Sequence, residues 1–145
     1  MIGIRQVFLV AADIPVAASV ALVSTGLTFP MLVGQRFAID AYIPITVGAT
    51  GGVRLQTVIP AVPTTFSQAI LLYDTIAPLV TSAYQTASAA FTNALANAGN
   101  HFMRVTGQIT CGATAGNFDI QMACNTAANQ LTILKGGWLQ VTQMN

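Results

Sequence analysis

The chain has 145 residues, 54% of them hydrophobic and only 6% charged, with a formal net charge of +1. Its basic residues, Arg5, Arg36, Arg54, Arg104 and Lys135, are scattered singly, so no basic patch exists to neutralise a phosphate backbone, and nucleic-acid binding has no support. A solitary soluble domain carries far more surface charge than this, so part of the surface lies either in lipid or under other protein.

Residues 1–19 read as an N-terminal strand or arm, with an apolar run at 6–10, ahead of a single domain at 20–145. Asp13 and Pro15 interrupt the apolar run that begins at Val7, where a secretory leader would continue, so no leader is expected. Residues 14–35 are free of charge but broken by Pro15, Gly26, Pro30 and Gly34, which is loop and strand punctuation rather than a spanning helix. A short apolar run at 20–23 reads as strand. From Phe37 to Val47 every odd position is apolar, while the even positions include Arg36, Asp40, Tyr42 and Thr46, the alternation of a half-buried strand. Pro44 falls on the outward parity and suggests an edge or a bulge. Residues 48–52 turn the chain, and Val53, Leu55 and Ile59 resume the alternation until Pro60.

A further apolar run lies at 70–73. Residues 75–100 are uncharged but crowded with Thr, Ser, Asn and Gln, poor lipid-facing residues, so a membrane location is not expected. Residues 81–99 admit two readings. Val80, Tyr84, Ala87, Phe91, Leu95 and Ala98 recur at helical spacing, with Ser82 and Gln85 as a capping box and Gly99 as a C-cap; the alternative is a short strand with an irregular loop. Alternation returns at Met103, Val105, Gly107, Ile109 and Cys111, then at Phe118, Ile120, Met122 and Cys124 after a loop at 112–117. Two last strands, 130–134 and 138–144, are joined by Lys135-Gly136-Gly137, where glycine permits the positive φ of a tight connection. About eight strands in one domain indicate an all-β antiparallel sandwich or jelly roll.

The order of these phrases carries a resemblance. Leu27-Thr28-Phe29-Pro30, then Gly34 and Phe37, then Gly51-Gly52-Val53-Arg54-Leu55 open it. Val105-Thr106-Gly107-Gln108-Ile109, Ala115-Gly116-Asn117-Phe118, Gln121-Met122-Ala123 and Gly136-Gly137-Trp138-Leu139-Gln140-Val141 close it. The sequence so resembles a recurrent domain of tailed-bacteriophage structural proteins over about residues 20–144, most thinly at 66–100. The resemblance implies a jelly roll similar to tumour-necrosis-factor-like and complement-like trimer domains. In phage particles such domains serve as head decoration proteins or as tips of fibres and spikes. A homotrimer on a capsid would cover much of each protomer, and interface cores are depleted in charge, in keeping with this composition. The chain encodes no shaft repeat or coiled coil, which favours a virion decoration protein bound to the major capsid protein, assembled in the host cytoplasm, over a receptor- or carbohydrate-binding tip. A secreted complement-like module is the third reading.

Little in the sequence points to chemistry. His101 is the only histidine, and its place after Gly99-Asn100 predicts an exposed loop residue. Asp13, Asp40, Asp74 and Asp119 are widely spaced and suggest no metal site, with Asp40 and Asp119 expected on outward strand faces. No G-x-S-x-G or phosphate-loop motif occurs, so neither an enzyme nor a cofactor is expected. Cys111 and Cys124 share the inward parity but sit at opposite ends of their strands, about 20 Å apart in level, too far for a disulfide. Trp138 falls on the outward parity of the last strand and is the candidate subunit contact.

Overall fold

The structure is a computed structural model and describes residues 4–16, 20–48, 52–61, 63–77, 79–95, 98–126 and 130–144. Among these residues there are twelve strands and no helix. In chain order they are β1 (Arg5–Leu9), β2 (Ile14–Val16), β3 (Val23–Met31), β4 (Arg36–Val47), β5 (Gly52–Val58) and β6 (Thr65–Asp74). The second half comprises β7 (Leu79–Gln85), β8 (Phe91–Ala94), β9 (Gly99–Thr110), β10 (Gly116–Cys124), β11 (Leu131–Ile133) and β12 (Trp138–Met144).

All pairings are antiparallel and they are nested: β1 with β12, β2 with β11, β3 with β10, β4 with β9, β5 with β8 and β6 with β7. The chain is thus one long hairpin folded about the β6–β7 turn. Additional pairings of β4 with β12 and β11, of β6 with β9 and of β5 with β10 join the pairs into two sheets. The eight-stranded sheet runs β1-β12-β4-β9-β6-β7, with β2 and β11 alongside; the four-stranded sheet runs β3-β10-β5-β8. Together they form an all-β sandwich.

The period-two pattern sets which face is inside. Along β4, burial alternates without a break, and Phe37, Ile39, Ala41, Ile43, Ile45 and Val47 all enter the core. Leu27, Phe29 and Met31 of β3 and Phe118, Ile120 and Met122 of β10 close it from the four-stranded side. Phe29 is its aromatic centre, with ring centroids 5.0 Å from Phe37, 5.2 Å from Phe118 and 6.0 Å from Phe8. Each such side chain removed from water contributes about 1.5–3 kcal/mol. Cys111 and Cys124 are both buried free thiols.

Pro44 is not at an edge. β4 is an interior strand, paired with β9 along its whole length. On its other side β12 covers Arg36–Tyr42 and β11 covers Ile45–Val47, so Pro44 falls where one neighbour gives way to the next. Its missing N–H therefore costs no ladder bond, while its carbonyl accepts from Leu134 N at 2.9 Å. Gly137 crosses this junction so closely that a Cβ would lie 3.2 Å from Pro44 Cδ.

The helical reading of 81–99 is corrected. β7 and β8 occupy this stretch, and 86–90 between them is not helical. Val80 and Tyr84 belong to both periodicities; with β6 alongside to supply backbone partners, the β-branched and hydroxyl-rich composition follows the strand. Gln85 does not cap but accepts from Gln68 Nε2 at 2.7 Å, and Gly99 opens β9 at φ 141° instead of closing a helix. The N-terminal segment supplies β1 and β2, which pair with β12 and β11. Of the turn expected at 48–52, residues 49–51 lie outside the described residues.

Candidate subunit interface

The outer face of the eight-stranded sheet is built by register. Residues directly opposite one another share a face, so one row crosses the sheet as Leu9, Trp138, Tyr42, Arg104, Leu71 and Ser82. The row beside it on one side reads Pro44, Phe102, Tyr73 and Val80. On the other side it reads Val7, Gln140, Asp40, Thr106, Ala69 and Tyr84. At the margins Val7, Leu9, Val80 and Tyr84 are 54%, 65%, 50% and 72% exposed. Apolar side chains scattered singly need no explanation, whereas a contiguous apolar patch on one face is a candidate interaction surface.

Four rings link across strands β12, β4, β9 and β6. Trp138 lies 6.3 Å from Tyr42, Tyr42 lies 5.4 Å from Phe102, and Phe102 lies 4.4 Å from Tyr73 at an interplanar angle of 15°. Two rings that nearly parallel and that close must meet face to face, so Phe102 and Tyr73 stand on the sheet and direct their edges outward. Trp138, the residue the sequence singles out, is at one end of this row. Tyr42, Phe102 and Tyr73 are brought to it by pairing that the sequence does not display. Their common signal, aromatic residues on the outward parity of separate strand runs, is readable only once those runs are known to be neighbours.

Among the described residues, the charges at the centre of this face neutralise each other. Arg104 Nε and Nη2 donate to Asp40 Oδ1 and Oδ2 at 3.0 and 2.9 Å, a two-bonded pair. That hydrogen bonding, and then the carboxylate's charge, raise the guanidinium pKa above its ordinary value. Asp40 is outward as expected, and so is Asp119 on the four-stranded sheet, where it accepts from Ser24 Oγ at 2.7 Å and Gln121 Nε2 at 3.0 Å.

His101 is not an exposed loop residue. It lies in β9 on the same parity as Met103 and Val105, and its side chain is fully buried, with Nδ1 3.4 Å from Asp74 Oδ1. The inward alternation of β9 extends back through it, and the glycine at 99 does not end the strand. Asp74, 9% exposed, also accepts from Ile76 N at 2.9 Å and Ala77 N at 3.2 Å, so the pair ties the β6–β7 turn to β9. With no surface on the imidazole, the pair lies inside the fold as a latch on that turn. Asp74→Ala is expected to lower stability by about 1.5–3 kcal/mol, the range for hydrogen bonds to a charged group, measured from the urea midpoint at constant m-value.

Among the described residues no group of three or more His, Cys, Asp or Glu is placed to hold a metal ion, and no helix is long and apolar enough to cross a membrane. No protein-family model matches the chain, and no curated protein does.

Proposed function

We propose that this protein is a non-enzymatic structural subunit that self-associates through the outer face of its eight-stranded sheet, as a homotrimer, and serves in a tailed-phage virion as a capsid decoration protein. The observation that carries the self-association is the aromatic row of Trp138, Tyr42, Phe102 and Tyr73 with its self-neutralised Arg104–Asp40 pair. Aromatic and arginine side chains are the residues enriched at interface centres, and unpaired charges are what such centres lack. The nested strand order supports reading the sandwich as a jelly roll, since rolling one long hairpin is how that architecture arises. The phage assignment rests on the resemblance of its phrases to phage structural domains. In that role the subunit would bind where several major capsid subunits meet, adding buried area that exists only in the assembled shell.

The alternative, a carbohydrate-binding tip, draws less support from the same rings. A sugar stacks on an open aromatic face, and Phe102 has Tyr73 against it on one side and Tyr42 on the other.

Light scattering behind size exclusion tests the association: the expected mass is three times 15.1 kDa. Phe102→Asp, which would bury an unpaired carboxylate at the centre of the contact, is expected to give a folded monomer. Trp138→Ala is expected to weaken the oligomer by about tenfold or more, as loss of an aromatic anchor does. A wild-type monomer, or an oligomer indifferent to both changes, rejects this face. Co-sedimentation with purified capsids, against host envelope and glycan controls, then tests the virion role.

A further inference from the structure

The eight-stranded sheet ends on β7, and among the described residues no strand pairs with its far side. Native proteins blunt such edges with charge, proline, bulges or brevity, and the other borders of this sandwich are blunted. β1 carries Arg5; β2 and β8 have three and four residues. β3 contains Pro30, and its pairing with β10 shifts register between Asp119 and Gln121. β7 has none of these devices. Its seven residues include no charge and no proline, and it pairs with β6 in unbroken register from Gln68–Gln85 to Asp74–Leu79. Val80 and Tyr84, on its outward face, are 50% and 72% exposed.

The strand is also complementary to itself. If two copies of β7 lie antiparallel with Ser82 opposite Ser82, Val80 of each falls opposite Tyr84 of the other, and Thr81 falls opposite Ala83. Both outward pairs then join a β-branched residue to an aromatic, a favourable cross-strand combination, and no like charges meet. We infer that β7 is an edge through which a second copy of this chain docks, antiparallel and centred on Ser82, so that the two eight-stranded sheets become one. Seven residues span only about 24 Å, less contact than a stable dimer needs. Association through this edge alone is therefore weak and grows with local concentration, as between subunits crowded on a particle surface. It lies at the margin of the proposed trimer face and requires no contact with the aromatic row. It also falls in 66–100, the part of the chain least like phage domains.

The test is oxidative cross-linking of Ser82→Cys, with Thr81→Cys and Ala83→Cys as neighbours, in the otherwise complete chain and again with Phe102→Asp. Directly opposed residues have Cα atoms about 4.5–5.5 Å apart, within disulfide range, and the native thiols are both buried. The expected result is a disulfide dimer of Ser82→Cys that forms roughly tenfold faster than either neighbour's, in both backgrounds. Equal rates at the three positions, or none at Ser82, overturn the proposal; loss of the trimer in the Phe102→Asp background leaves it standing. As a second measurement, the wild-type mass is expected to rise beyond the trimer at high protein concentration, and Ser82→Lys, which sets two cations opposite each other, is expected to abolish that rise. Persistence of that rise in Ser82→Lys also overturns the proposal.

Discussion

Phe29→Ala is expected to lower stability by about 3–5 kcal/mol, the range for truncating a buried aromatic. The ring is 1% exposed and touches three others, one on each of β1, β4 and β10, so it bridges both sheets. None of its neighbours can easily collapse into the vacated space. Phe37 and Phe118 are fixed by ladders on both flanks of their strands, because β4 lies between β9 and β12 and β10 lies between β3 and β5. A loss of this size is a large share of the about 5–15 kcal/mol that holds a typical domain. Equilibrium urea unfolding checks it, and a loss below about 1.5 kcal/mol would mean that the rings repack and the core is looser than the sandwich implies.

Gly107→Ala is expected to damage the sheet locally and severely. Gly107 sits in β9 between Ile39 of β4 and Gln68 of β6, and a Cβ there would lie 2.2 Å from the carbonyl oxygen of Ser67 and 2.9 Å from Gln68 Cα. Both obstacles are backbone, so no side chain can swing aside. β6 must move, and only β7 holds it from the other side. The cost should reach or exceed the upper end of the about 1–3 kcal/mol typical of overpacking. Hydrogen exchange should show β6 and β7 losing protection while β3 and β10 keep theirs. Gly34→Ala is the contrast: its φ is +77° but nothing lies within 4 Å of the new atom, so only the left-handed backbone penalty of about 1–2 kcal/mol applies. If the two variants unfold alike, conformational freedom and not close approach explains Gly107.

The sandwich was legible because alternation is a local signal. β4, β5, β9, β10 and β12 can each be traced from the parity of their own residues, and Trp138 emerges as outward by the same count. What could not be traced depends on neighbours. Pro44 looks like an edge residue until β11 and β12 are seen to divide one flank of β4 between them. Residues 81–99 suit a helix on spacing alone, but β7 and β8 form there because β6 and β5 offer them ladders. His101 reads as exposed because Gly99 and Asn100 resemble a loop, whereas Asp74, far away in sequence, gives the imidazole a place inside. The aromatic row was half visible: one ring could be found from its strand, but the row exists only across four.

The nested pairing also bears on how the chain reaches its native state. Most contacts join residues far apart in sequence, which ordinarily slows folding. Here, among the described residues, only β6 and β7 meet across a short connection, so closing that hairpin carries the smallest entropic penalty of any described pair. Once it has formed, β5 and β8, then β4 and β9, then β3 and β10 are each brought near by the pair before them. What looks like a search across the whole molecule becomes a succession of short closures, ending where β1 meets β12. On the ribosome this order has a cost: β3, β4 and β5 emerge well before β8, β9 and β10, and their apolar faces must wait uncovered until the second half of the chain arrives.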